Sequence, residues 1–286
     1  MKHKIITFGE LMLRLSPDNN ERFTQAHSYE AVYGGGEANT AVSLANFNVD
    51  TRYVTKLPNH TIGQSAVNSL RQYGVDVSRI VRGGDQIGIY FLEKKTSQRP
   101  TNVIYNRNGS AFALATKEDF DWNSIFEGAT WFHFSGITPA ISDNMAEITI
   151  EACKEAKKRN ITVSCDLNYR SKLWSSEKAN KVMSEVCKYV DICIANEDDA
   201  VGIFGMDASK SDKEKNAYIA EELTKMFPNF KMVASVWRTE TSITTFKLQS
   251  MIYTDGKAYY SQEFFMNILD YIGAGTAHIR AAHIQE

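Results

Sequence analysis

Short runs of β-branched and aromatic residues alternate with amphipathic stretches along most of this chain, and that alternation constrains the fold more than any other feature. Strands are predicted over residues 5–9, 51–56, 131–135, 162–166, 192–196 and 232–236. Helical periodicity lies between them, over 38–46, 62–73, 144–159, 176–188, 198–204 and 213–226. A strand that returns through a helix to its neighbour runs parallel to it, so the pattern predicts an α/β fold with a mostly parallel sheet and helices on both faces. Ligands of such sheets sit beyond the carboxyl ends of the strands. Asp166, Asn168, Asn196 and Arg238 are predicted at or just past those ends.

Two segments break the rhythm. Residues 88–93 and 102–107 read as strands joined by the polar stretch 94–101. With residues 13–16 and 29–33 they predict a small antiparallel sheet. A late hairpin is predicted at Asp255-Gly256, which has the chemistry of a tight turn.

Bulk properties exclude several classes of function. At 286 residues, 43% apolar and 11% aromatic, the chain is sized for one large domain with a substantial core. Charges nearly cancel at a formal net of -2, and no basic stripe points to nucleic acid. No apolar run reaches membrane-spanning length, and the N-terminal apolar run is too short for a signal peptide, so a cytoplasmic protein without a membrane partner is expected. Cys153, Cys165, Cys187 and Cys193 are far apart without metal-ligand spacing and predict buried free thiols. His133 reads as a core histidine, and Trp122, Trp131 and Trp174 read as packing anchors.

Two glycine-rich segments carry the chemistry. Gly34-Gly35-Gly36-Glu37-Ala38-Asn39-Thr40-Ala41 lets backbone approach a polar ligand without Cβ obstruction, and Asn39 can donate to and accept from hydroxyls. Ile268-Leu269-Asp270-Tyr271-Ile272-Gly273-Ala274-Gly275-Thr276 holds a small-residue turn whose N–H groups can converge on an anion. As a pair, the two segments resemble both signatures of the ribokinase-like (PfkB) sugar kinases. The resemblance runs from Phe8-Gly9-Glu10 to Gly275, and within the family it looks closest to 2-keto-3-deoxygluconate kinases. Leu57-Pro58-Asn59, Trp131-Phe132-His133-Phe134-Ser135-Gly136 and Asp166-Leu167-Asn168-Tyr169-Arg170 support it.

That resemblance implies a three-layer ribokinase-like fold, a single kinase domain over 1–286, and a β-sheet lid from about 12–16, 28–34 and 87–108 that often also makes a homodimer contact. It implies ATP-dependent phosphorylation of 2-keto-3-deoxygluconate, with Gly273, Ala274 and Gly275 as the anion hole. Gly34, Gly35, Asn39, Tyr90, Tyr105, Arg107 and Arg170 are implied on the acceptor side. The two arginines would match the carboxylate of a sugar acid in a bidentate fork. Asn168, Asn196, Arg238, Gly273 and Gly275 are implied on the nucleotide side. Asp199 stands where the family's Asn-x-x-Glu element has Glu and is implied in organising Mg²⁺ through water; its other reading is an acidic first turn favoured by the helix dipole.

The family's catalytic base follows the anion-hole turn, and here that position is Thr276, whose hydroxyl does not ionise usefully at neutral pH. Asp270 precedes the turn and is expected to be structural. Ten residues follow Thr276, and they depart from the family pattern at once. A shift of reading frame just after Gly275 is favoured over an evolved loss of activity, so an impaired kinase with a C-terminally incomplete domain is expected. Two alternatives stay open: a non-catalytic sugar-acid-binding protein on a kinase scaffold, and a kinase for a neutral sugar such as fructose.

Overall fold

A computed structural model describes residues 3–267 of the chain, apart from 97, 208, 210, 211 and 241–244. The chain divides into two compact units, residues 1–127 and 128–286.

The first unit holds β1 (Lys4–Phe8), β2 (Met12–Pro17), β3 (Tyr29–Gly34), α1 (Gly36–Asn46), β4 (Asp50–Val54), β5 (Lys56–Leu57), α2 (Thr61–Arg71), β6 (Val81–Arg82), β7 (Ile89–Glu93), β8 (Asn102–Asn106) and α3 (Trp122–Ile125). Strands β1 and β4 pair in parallel, Ile6 opposite Arg52, as the α1 crossover between them requires. Helix α2 buries Gly63, Ala66, Val67 and Leu70, the i, i+3, i+4, i+7 face of an amphipathic helix. Ala66, Val67 and Leu70 pack with Leu11, Ala38, Ala41, Tyr53 and Leu57 in one apolar cluster. A second cluster is aromatic: Phe8 meets Phe112, Phe120 and Trp122 edge-on at centroid distances of 5.4, 5.2 and 5.4 Å.

The small sheet has the order β3-β2-β7-β8. Its β2–β3 and β7–β8 pairs are antiparallel as expected, but β2 and β7 run parallel, with Arg14 opposite Tyr90. The antiparallel expectation fails there because more than seventy residues separate the two strands, and no tight turn dictates their direction.

The second unit holds β9 (Trp131–Ser135), α4 (Ile137–Ala140), α5 (Asp143–Lys158), β10 (Thr162–Asp166), α6 (Ser176–Val186), β11 (Ile192–Ile194), α7 (Glu197–Phe204), α8 (Asp212–Met226), β12 (Met232–Glu240), β13 (Thr245–Thr254), β14 (Lys257–Tyr260) and β15 (Phe264–Asn267). Strands β9 to β12 form a parallel series in which β10 lies between β9 and β11. Ser142 caps α5 through Met145 N, and the helix buries Met145, Ile148, Ala152, Cys153 and Ala156. Trp131 Nε1 donates to Ser164 Oγ at 2.7 Å, and His133 Nδ1 lies 2.8 Å from the same oxygen. His133 is thus the core histidine expected. All four cysteines are free and buried, and burial pushes their thiols well above the usual range.

Strand β12 runs further than its sequence suggests. Its parallel partner β11 stops opposite Ala234, but the antiparallel β13 carries the ladder on to Glu240. Arg238 therefore lies inside a strand rather than past its end. The Asp255-Gly256 turn is present, both residues at positive φ (51° and 75°), and it joins β13 to β14.

Candidate functional site

The acceptor-side residues of the first unit converge around one glycine. A Cβ on Gly34 would stand 3.7 Å from Asn39 Oδ1 and 3.9 Å from Tyr90 Oη, so the space next to Gly34 is bordered by an amide and a phenol. Both can exchange hydrogen bonds with hydroxyls. Tyr90 and Tyr105 face each other across β7 and β8, with ring centroids 5.8 Å apart. Tyr105 is about half exposed, so its ring offers an apolar face to a ligand.

The neighbouring Gly35 is forced by backbone contact. Its φ of -176° is ordinary extended backbone, but a Cβ there would lie 2.2 Å from the carbonyl oxygen of Glu10. Gly36 opens α1 with nothing within 4 Å of its Cβ position. Only two of the three glycines thus border something that a side chain would disturb.

Glu10 was legible only as part of the N-terminal resemblance, yet it is the hub of this region. Its side chain is buried, and its Oε2 accepts from Arg107 Nε at 2.8 Å and lies 2.5 Å from Arg107 Nη2. Ser110 Oγ donates to its Oε1 at 2.5 Å. Arg107 is accordingly buried and charge-compensated, and its guanidinium lies 5.8 Å from the Tyr105 ring centroid. Below Glu10, the buried Tyr53 Oη donates to Gly9 O at 2.8 Å, which fixes the link from β1 to β2.

In the second unit the ends of β10 and β11 gather the polar groups. Leu167 N donates to Ile194 O and Gly136 N to Asp166 O. A Cβ on Gly136 would stand 2.1 Å from Leu167 O, so the β9 turn presses against the β10 end. Asn168 adopts a positive φ of 38°, and its Nδ2 donates to Asp166 Oδ2 at 3.4 Å. Asn196 caps α7, its Oδ1 accepting from Asp199 N at 2.9 Å. The buried Asp199 returns the bond, Oδ2 accepting from Asn196 N at 3.0 Å, and its Oδ1 accepts from Tyr169 N at 2.7 Å. This is a capping box. Burial pushes the Asp199 carboxyl up to about 6, although the N–H groups of Asn196 and Tyr169 and the Arg170 charge pull it down. Arg170 itself is exposed. Arg238 is exposed too and places its guanidinium 4.8 Å from the Phe246 ring centroid, a cation–π contact within its own hairpin.

Both oxygens of Asp199 are thus engaged by backbone donors, which is the helix-end reading of this residue. Among the described residues no group of three or more His, Cys, Asp or Glu side chains is placed to hold a metal ion. None of their helices is long and apolar enough to cross a membrane. Asp270, Gly273, Ala274, Gly275 and Thr276 lie outside the described residues.

Comparison with known proteins follows the same lines. A family profile described as pfkB family carbohydrate kinase matches residues 2–234. A 2-dehydro-3-deoxygalactonokinase of Haloferax volcanii is 33% identical over 98% of this chain and 83% of its own length. The crystal structure of a 2-dehydro-3-deoxygluconokinase from Thermotoga maritima is 45% identical, with a TM-score of 0.92 over 96% of this chain and 84% of that one. A PfkB family carbohydrate kinase from Listeria grayi gives 33% identity and a TM-score of 0.90, covering 98% and 86%.

Proposed function

The chain belongs to the pfkB family of carbohydrate kinases, and from that membership we propose that it binds ATP and 2-keto-3-deoxygluconate (2-dehydro-3-deoxygluconate) and serves phosphoryl transfer from one to the other, as a single kinase domain. The observation that carries the acceptor is the grouping of Gly34, Asn39 and Tyr90 beside the tyrosine pair, with the Arg107 guanidinium 5.8 Å from the Tyr105 ring centroid. A neutral sugar needs no cation, whereas a sugar acid does. Arg107 is assigned to the carboxylate, and Arg170 is given the same task on the family likeness. The relative from Thermotoga maritima supports the gluconate configuration. The relative from Haloferax volcanii favours a second reading, the galactonate epimer.

In the transfer, a sugar hydroxyl oxygen attacks the γ-phosphorus of ATP, the bond to the leaving ADP oxygen breaks, and the hydroxyl proton goes to a base. The chain's own contribution is positioning: Asn39 and Tyr90 hold hydroxyls, Tyr105 covers the sugar, and Gly273, Ala274 and Gly275 are proposed to receive the phosphate. Asn168, Asn196 and Arg238 are proposed on the nucleotide side. Mg²⁺ accompanies the nucleotide in this reading, and Asp199 would be reached through water, not by direct ligation. The four-stranded sheet is read as the lid, with its outer face as a homodimer contact. ATP as donor supports a cytoplasmic location.

Thr276 stands at the base position and limits turnover in this reading. General-base assistance typically contributes about 10²–10⁴-fold, so Thr276→Asp is expected to raise kcat by at least about 10²-fold in a coupled assay, with little change in sugar affinity measured by calorimetry. Full turnover by the natural chain refutes the impairment. Sugar binding without any gain from Thr276→Asp supports the non-catalytic alternative, and no sugar-acid binding at all refutes the substrate.

A further inference from the structure

Glu10 holds no acceptor atom in the reading above, yet the acceptor turn and both tyrosine strands meet at it. Its carbonyl oxygen lies against Gly35, where a Cβ would approach to 2.2 Å. Its carboxylate lies against Gly88, where a Cβ would stand 2.5 Å from Oε1. Gly88 immediately precedes β7, the strand that carries Tyr90, and Arg107 immediately follows β8, the strand that carries Tyr105. Because Ile89 is opposite Asn106, Gly88 and Arg107 stand at the same end of that hairpin, and the Glu10 carboxylate touches both.

The contacts on Arg107 are one-sided. Glu10 Oε2 meets Nε at 2.8 Å and Nη2 at 2.5 Å, which is the side-on edge of the guanidinium. The group is planar and rigid, so fixing that edge also fixes the direction of the end-on edge, formed by Nη1 and the second N–H of Nη2. Nη1 has no hydrogen-bonding partner among the described residues. Glu10 is itself clamped: Ser110 Oγ donates to its Oε1 at 2.5 Å and accepts from Ala113 N at 3.1 Å. Because Glu10 compensates the charge of Arg107, recognition of a carboxylate here depends on aimed N–H groups rather than on excess charge.

We propose that Glu10 is a positioning residue for the acceptor: it aims the end-on edge of Arg107 at the sugar carboxylate and thereby sets the preference for a sugar acid over a neutral sugar. A carboxylate matches a guanidinium through two parallel N–H···O bonds, so a guanidinium that turns loses one or both while keeping its charge. The inference rests on the sugar-acid reading, in which Arg107 takes the carboxylate.

The test is calorimetry with 2-keto-3-deoxygluconate and its methyl ester, which keeps the shape and removes the charge. Wild type, Glu10→Gln and Ser110→Ala are compared, each below its own melting temperature. Glu10→Gln is expected to weaken acid binding about 10-fold, the lower end of what hydrogen bonds to a charged group are worth, and to change ester binding less than about twofold. Ser110→Ala loosens the clamp without touching Arg107 and is expected to weaken acid binding about 3-fold with the ester again unmoved; it carries the test alone if Glu10→Gln does not fold. A scaffold role lowers the melting temperature but leaves the ratio of acid to ester affinity at its wild-type value, and that ratio unchanged in the folded variants overturns the proposal. A wild-type chain that binds the ester as well as the acid overturns the sugar-acid reading and the proposal with it, and this failure shows before any substitution is made.

Discussion

The three consecutive glycines before α1 should respond to alanine in three different ways, although sequence gives them one role. At Gly35 the added Cβ would meet Glu10 O at 2.2 Å, about 1 Å short of the tightest ordinary contact. Both partners are backbone, so no rotamer change relieves the clash, and either the turn or the β1–β2 link must move. Overpacking of this kind costs about 1–3 kcal/mol, and the rigidity of both sides argues for about 3 kcal/mol here. With a urea dependence of about 3 kcal/mol per molar for a large domain, the midpoint should fall by about 1 M. At Gly36, where the Cβ meets nothing, Gly36→Ala should stabilise by about 0.5–1 kcal/mol by restricting the unfolded chain. Gly34→Ala meets Asn39 Oδ1 at 3.7 Å, an ordinary contact, so its midpoint should hold while the methyl fills the space that a ligand needs. Urea titration followed by tryptophan fluorescence, with calorimetry of 2-keto-3-deoxygluconate, separates the three. Equal midpoint shifts for Gly35→Ala and Gly36→Ala, or unaltered sugar affinity in Gly34→Ala, would refute the reasoning.

Glu10→Gln leaves the Arg107 guanidinium buried against a neutral amide, and the loss should approach the roughly 3–5 kcal/mol typical of breaking a buried pair; an unchanged urea midpoint counts against the hub. Tyr105→Ala removes an exposed ring 5.8 Å from Tyr90, so sugar affinity should fall about 3- to 10-fold with little change in melting temperature. Asp199 supplies a pH signature. Burial raises its carboxyl to about 6, so the folded chain holds this proton more tightly than the unfolded chain does. Its contribution is therefore most favourable below about pH 4 and declines by about 3 kcal/mol as pH climbs through 6. The stability difference between wild type and Asp199→Asn should shrink accordingly in urea titrations from pH 4 to 7, and a difference that grows with pH contradicts the assignment.

Local patterns made much of this molecule legible, and long-range pairing accounts for most of what was not. Strands β9 and β10 begin and end where their apolar runs do, because burial on both faces leaves a sharp compositional edge. The Asp255-Gly256 turn was readable from two residues, but β13 was not, since its pairing with β12 is what extends both strands. The partnership of Arg107 with Glu10 spans 97 residues and leaves no local trace. At Asp199 the sequence offered a metal role and a helix-end role evenly. The Asn196-x-x-Asp199 spacing already carried the cap that the hydrogen bonds display.

The outer edge of β13 has a bearing on how the chain behaves in concentrated solution. Ten residues of open strand would be a template for another molecule to pair with. That edge is divided: β15 covers Thr245–Leu248 and β14 covers Met251–Thr254. Ser261 closes the gap, exchanging bonds with Ser250 through N–H···O at 2.9 Å and its Oγ at 3.0 Å. Among the described residues, what remains outermost is two strands of four residues each, too short for extensive edge-to-edge growth. They still expose Tyr259, Tyr260, Phe264, Phe265 and Met266, and Lys247 paired with Glu263 at 2.6 Å sits beside them as a charged gatekeeper. Removing that pair is the change most apt to convert a soluble preparation into a self-associating one.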